Sequence, residues 1–192
     1  RGTKNITDRC LSYLEQGLQR LTICLKTIDL RVLECIKLTE AGLLNLRYCL
    51  KRLSRLKNLS LKFENCPGIT DSGLKYLAEE YLVNLQSLSL SFCHFVKIAD
   101  LGLQSLGKYW TRIAGLNSLS LNYSLDEEKI TFFRLYEFLK GWENFAPGFQ
   151  NLSLSLDFFE NQKIIHTRMY HFSSALKSFI SLQSLKIEFK GP

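Results

Sequence analysis

Residues 56–90 read LKNLSLKFENCPGITDSGLKYLAEEYLVNLQSLSL, and the rest of the chain varies on them. Leu59, Leu61 and Phe63 alternate with Ser60 and Lys62, the period-two pattern of a strand with one buried face. Glu64 to Gly68 read as a turn. Leu74, Leu77, Ala78 and Tyr81 then recur at helical spacing, with Thr70 placed to cap the helix and Asp71 in its first turn. At Leu85 the strand pattern begins again. Such a strand, turn and helix cannot bury its own apolar face and must stack on copies of itself.

Those copies are present. The pattern headed by Leu56, Leu59, Leu61 and Phe63 returns at Leu25, Leu85, Leu116, Phe149 and Leu182, giving spacings of 31, 29, 31, 33 and 33 residues. Helices are predicted between the strands over 8–20, 40–52, 71–81, 100–109, 132–140 and 168–178. Thr7, Thr39, Thr70, Thr131 and Thr167 stand at the expected caps.

The L-x-x-L-x-L core in every copy, with Ile28, Phe149 and Ile187 as conservative exchanges, resembles the leucine-rich repeat family across essentially the whole chain. Cys66-Pro-Gly-Ile69-Thr70-Asp71-Ser-Gly73-Leu74 looks like the signature of its cysteine-containing type, and Ile6-Thr7-Asp8 echoes it. Full-length helices and copies of this size are nearer the ribonuclease-inhibitor-like type. In the later copies Phe95, Asp126 and Phe159 replace Cys66. The resemblance implies an α/β solenoid of about six strands. A curved parallel sheet would line its concave side and helices its convex side. We find one domain over 1–192, with no linker. The chain opens on Arg1 rather than Met, its last strand keeps the full ladder of Leu182, Leu185, Ile187 and Phe189 with no helix after it, and its first helix lacks a preceding strand. We therefore expect a segment of a longer protein, its ends covered by further repeats or other chains.

The formal charge is +7, unevenly spread. Residues 1–62 hold 13 Lys/Arg against 5 Asp/Glu, a net +8, while residues 63–192 hold 12 against 13, a net −1. The densest basic group is Lys51, Arg52, Arg55 and Lys57. It reads either as cations at a helix C-terminus or as a docking patch for an acidic protein surface. Arg31 and Lys62 are the basic candidates on the concave face. Elsewhere that face is mostly Ser and Asn, poor in the Trp, Tyr and Arg that dominate binding hot spots. No nucleic-acid motif accompanies the charge, and no apolar run reaches the ~18 residues of a membrane span.

Six cysteines, none in a C-x-x-C pair, and three scattered histidines argue against zinc and against catalytic triads. We read the cysteines as reduced and mostly buried, which places the chain inside the cell, with the cytoplasm as the expected compartment. Asp126-Glu127-Glu128 reads as a solvated turn, and Trp110, Trp142 and Phe145 as outer core. No cofactor is expected. The expected role is a non-catalytic protein-interaction scaffold. A substrate-recruiting adaptor of the F-box type and a leucine-rich GTPase-activating protein are the alternatives that the family resemblance brings.

Overall fold

The computed structural model describes residues 6–77, 82–93, 100–110, 113–124, 148–157, 170, 172–174, 176–177 and 179–190. The protein is α/β. Its elements are α1 (Asp8–Leu18), β1 (Thr27–Leu33), α2 (Glu40–Arg52), β2 (Asn58–Glu64), α3 (Asp71–Leu77), β3 (Ser87–Cys93), α4 (Asp100–Trp110), β4 (Ser118–Ser124), β5 (Asn151–Asp157) and β6 (Ser184–Lys190). A short 3-10 turn, Gln19–Leu21, follows α1.

The six strands form one sheet in chain order, every neighbouring pair parallel. The register aligns Ile28, Leu59, Leu88, Leu119, Leu152 and Leu185 in one column, and Leu30, Leu61, Leu90, Leu121, Leu154 and Ile187 in the next. Alternation puts both columns on the face that packs into the core. Leu59, Leu88, Leu119 and Leu152 are all but sealed from solvent. Phe63 and Phe92 continue the stack with rings 6.0 Å apart and nearly parallel. The outermost strands pair on one side only, and the expected uniform burial fails there: Ile28 is half-buried and Leu185 is 46% exposed.

The opposite face carries the column Asp29, Ser60, Ser89, Ser120, Ser153 and Lys186. Alternation along each strand leads us to expect those serines to be exposed. They are half-buried, because strands only ~4.8 Å apart shade each other's short side chains.

The helices stack through a recurring device at their N-termini. Asp8, the first residue of α1, accepts from the Thr39 backbone N–H at 2.8 Å and from the Thr39 hydroxyl at 2.7 Å. Thr39 in turn caps α2 by accepting from Ala41 N–H at 3.2 Å. Glu40, the first residue of α2, accepts from the Thr70 hydroxyl. Asp71, the first residue of α3, accepts from Gly102 N–H at 3.0 Å inside α4. Asp8 and Asp71 thus accept from a backbone N–H at the start of the next helix, and Asp8 and Glu40 from the threonine hydroxyl that precedes it. Glycine at the third helical position lets the acid come close. A Cβ on Gly102 would lie 2.5 Å from Asp71 Oδ1, and one on Gly42 would lie 2.6 Å from Asp8 Oδ1.

Several local expectations change. Thr7 has extended backbone but makes no side-chain cap bond to α1; its hydroxyl sits 3.8 Å from Cys10 Sγ instead. Helix α1 stops at Leu18 and tightens into the 3-10 turn, and α4 runs on to Trp110. The predicted helix over 132–140, the end of that over 71–81, and the caps Thr131 and Thr167 lie outside the described residues; of the helix predicted over 168–178, residues 170, 172–174 and 176 are described and helical. All six cysteines are free, but only Cys35, Cys49 and Cys66 are buried; Cys10 and Cys24 are exposed and Cys93 is half-buried. No helix among the described residues is long and apolar enough to cross a membrane.

Candidate partner-binding surface

The six basic candidates divide into two groups. Arg31 and Lys62 are register partners on β1 and β2 and lie on the sheet face. Lys51, Arg52, Arg55 and Lys57 surround the turn from the end of α2 to the start of β2. Five residues of strand separate Lys57 from Lys62, roughly 16 Å at ~3.3 Å per residue, so the two groups do not form one patch.

The sheet-face pair is already occupied. Arg31 donates to both Asp29 carboxylate oxygens, at 2.9 and 3.4 Å, and Ser60 donates to Asp29 at 3.1 Å. Those bonds, Arg31 first, hold the Asp29 carboxyl below the usual carboxylate range, and the Arg31 guanidinium is raised in turn. Lys62 Nζ lies 3.2 Å from Glu64. Both are surface pairs, weakened by solvent screening. A ligand acid would nevertheless have to compete with a resident one.

The turn group behaves differently. Arg52 lies 3.7 Å from Glu15 on α1. Lys51, Arg55 and Lys57 are exposed and make no ion pair among the described residues. Lys51 and Arg52 occupy the last turn of α2, where the helix dipole favours cations. Sequence reasoning missed Lys26. Its carbonyl accepts from Lys57 N–H and Asn58 N–H, both at 2.9 Å, which places Lys26 beside Lys57 on the rim where strands begin. The signal was available, since Lys26 precedes Lys57 by the 31-residue spacing of Leu25 and Leu56. Arg20, in the turn after α1, holds the place in the first layer that Arg52 approximates in the second. Further along the rim the backbone chain from Lys57 continues through Gln86, Asn117, Gln150 and Gln183. The charge is thus confined to the first two strands, matching the imbalance of the sequence.

Cations on two adjacent layers, held by a shared backbone ladder, make a rigid positive rim facing outward. Such a rim raises the local concentration of acidic groups and steers their approach. Among the described residues no group of three or more His, Cys, Asp or Glu could hold a metal ion. His94, His166, His171, the acidic run 126–128, Trp142 and Phe145 lie outside the described residues, as does the side chain of Trp110. The chain matches no protein-family model and no curated protein.

Proposed function

We propose that the chain is a leucine-rich repeat solenoid serving as a non-catalytic protein-interaction scaffold inside the cell, docking an acidic protein surface on its basic rim. Three features support the architecture. The L-x-x-L-x-L core recurs six times, each copy falls on one strand of a parallel sheet in chain order, and the ladder leucines share columns. Stacked units of this kind present long rigid surfaces suited to holding partners.

The observation that carries the binding role is the exposed rim of Lys26, Lys51, Arg55 and Lys57, which no carboxylate among the described residues neutralises. Arg31 and Lys62, with their resident acids, contribute secondary contacts at most.

Affinity capture with quantitative mass spectrometry tests this. Proteins retained by the unaltered chain should present acidic surfaces, be released by salt, and be lost from a Lys26→Glu/Lys57→Glu variant. The Arg31→Glu/Lys62→Glu variant should retain them. Capture indifferent to salt and to the rim variant refutes the reading.

A further inference from the structure

The outer faces of α1 and α2 carry groups that the rim does not include. On the first layer Arg9 and Tyr13 are exposed one turn apart on α1, and Arg20 is exposed in the 3-10 turn that follows. On the second, Tyr48 is exposed and Lys51 follows it one turn later. The two helices are bound side by side: Asn45 Nδ2 donates to the Asp8 carbonyl at 3.2 Å, and Arg52 reaches Glu15. The stripes therefore belong to one surface, and at Arg20 and Lys51 it runs into the basic rim.

Both tyrosines hold a guanidinium over the ring. Arg9 lies 5.4 Å from the Tyr13 centroid and Arg47 lies 5.5 Å from the Tyr48 centroid, within the range of cation–π attraction. Meanwhile the acids of these helices are engaged between layers: Asp8 with Thr39, Glu40 with Thr70, Glu15 with Arg52. The helix pair thus uses its negative charge internally and turns positive charge and tyrosine outward. Tyr and Arg are the residue types in which binding hot spots are enriched.

We infer that this Arg–Tyr face is the principal docking surface for an acidic polypeptide segment, extending the rim on which the proposed function rests. The exposed Arg9 guanidinium over Tyr13 presents N–H donors in its own plane, a geometry that a carboxylate meets bidentately. The exposed tyrosine beside it supplies rigid contact area at small entropic cost. A protein segment fits better than nucleic acid, because each ring already carries a cation over one face, which base stacking would have to displace.

Fluorescence anisotropy with a labelled Glu-rich peptide, and with labelled oligoadenylate as comparison, tests this on the full chain. The peptide should bind in low salt, and Arg9→Glu/Tyr48→Ala should weaken it about tenfold or more. Melting curves should show the variant folded. Peptide binding that survives this variant but is lost from Lys26→Glu/Lys57→Glu overturns the helix-face inference and leaves the rim reading standing. Tighter binding of oligoadenylate than of peptide overturns the inference as well. No peptide binding by the unaltered chain defeats both. Hydrogen exchange on the unaltered chain gives a second measurement independent of any substitution. Added peptide should slow exchange in 9–20 and 47–52, and protection confined to the sheet overturns the inference.

Discussion

Gly68→Ala adds one methyl group where the structure has no room for it. Gly68 lies in the loop after β2 and forms an isolated parallel bridge with Thr39, in the loop after β1. A Cβ there would come under 3.0 Å from the Leu38 carbonyl oxygen, 3.2 Å from its carbon and 3.4 Å from Thr39 Cα. These are backbone atoms and cannot rotate away, so one loop must shift and the bridge must open. Gly68 does not have positive φ, so the cost comes from contact rather than from an unfavourable backbone angle. Overpacking of this kind costs about 1–3 kcal/mol, and loss of the bridge adds about 1 kcal/mol. Reduced freedom of the unfolded chain returns about 0.4–1 kcal/mol. The net loss is about 1–3.6 kcal/mol, a Tm drop of about 2–14 °C for a chain of this length. Gly17 supplies the control. It is exposed within α1, and a Cβ there would meet nothing within 4 Å. Gly17→Ala should stabilise by ~0.5–1 kcal/mol through helix propensity. Differential scanning calorimetry of the two variants reads the opposite signs directly. A Gly68→Ala chain as stable as the unaltered one would refute the close-packed stacking of the two loops.

Leu119→Ala should cost about 2–5 kcal/mol, because Leu119 is 1% exposed between its register partners Leu88 and Leu152; chemical denaturation measures it, and a loss below that range would mean the column is loosely packed. Glu34 holds φ of 55°, and Asn65, one copy later, holds 51°. Asparagine tolerates this left-handed region better, so Glu34→Asn should stabilise by ~0.5–1 kcal/mol in the same assay, and an unchanged midpoint would argue against the strain. Thiol alkylation followed by mass spectrometry should label Cys10 early and Cys49 late. The hydrogen bonds from Thr7 lower the Cys10 thiol, while burial, and after it the Glu15 charge, push the Cys49 thiol up to about 11. Raising the pH towards that value in the folded chain should therefore speed Cys49 labelling more than Cys10 labelling, and the reverse order would contradict the burial of Cys49.

The ladder was legible because strand burial is local and has period two. Leu59, Leu61 and Phe63 announce a face by themselves, and the 31-residue offset to Ile28, Leu30 and Val32 announces the register. The helix-start bonds were less visible. Thr39 looks like a cap on sequence grounds and is one, yet its partner Asp8 lies 31 residues away, where no local rule reaches. Thr7 looked the same and caps nothing among its side-chain bonds. The pairing of Arg31 with Asp29, and of Lys62 with Glu64, follows from residues two apart sharing a strand face, but counting cations alone concealed it. Lys26 escaped because it precedes its strand and stands in no local cluster; only stacking brings it beside Lys57.

The same bonds that hold the first two layers together also set their charge. Asp8 and Glu40 each stand at a helix start, where a carboxylate is favoured by the dipole, and each spends its oxygens on the next layer's threonine. Glu15 is drawn to Arg52, with only 18% of its side chain exposed. Three of the five acids in residues 1–62 are therefore tied up in inter-layer contacts, and Asp29 is bound to Arg31. Among the cations Arg52 shares in these contacts through Glu15, while Leu, Cys and Gly fill the positions that face the core on α2. Lys and Arg are left to the helix ends, the rim and the outer stripe. Stacking thus converts a modest excess of cations in the sequence into a one-sided positive surface. That surface stays rigid because each layer that carries it is anchored by the acids that would otherwise neutralise it.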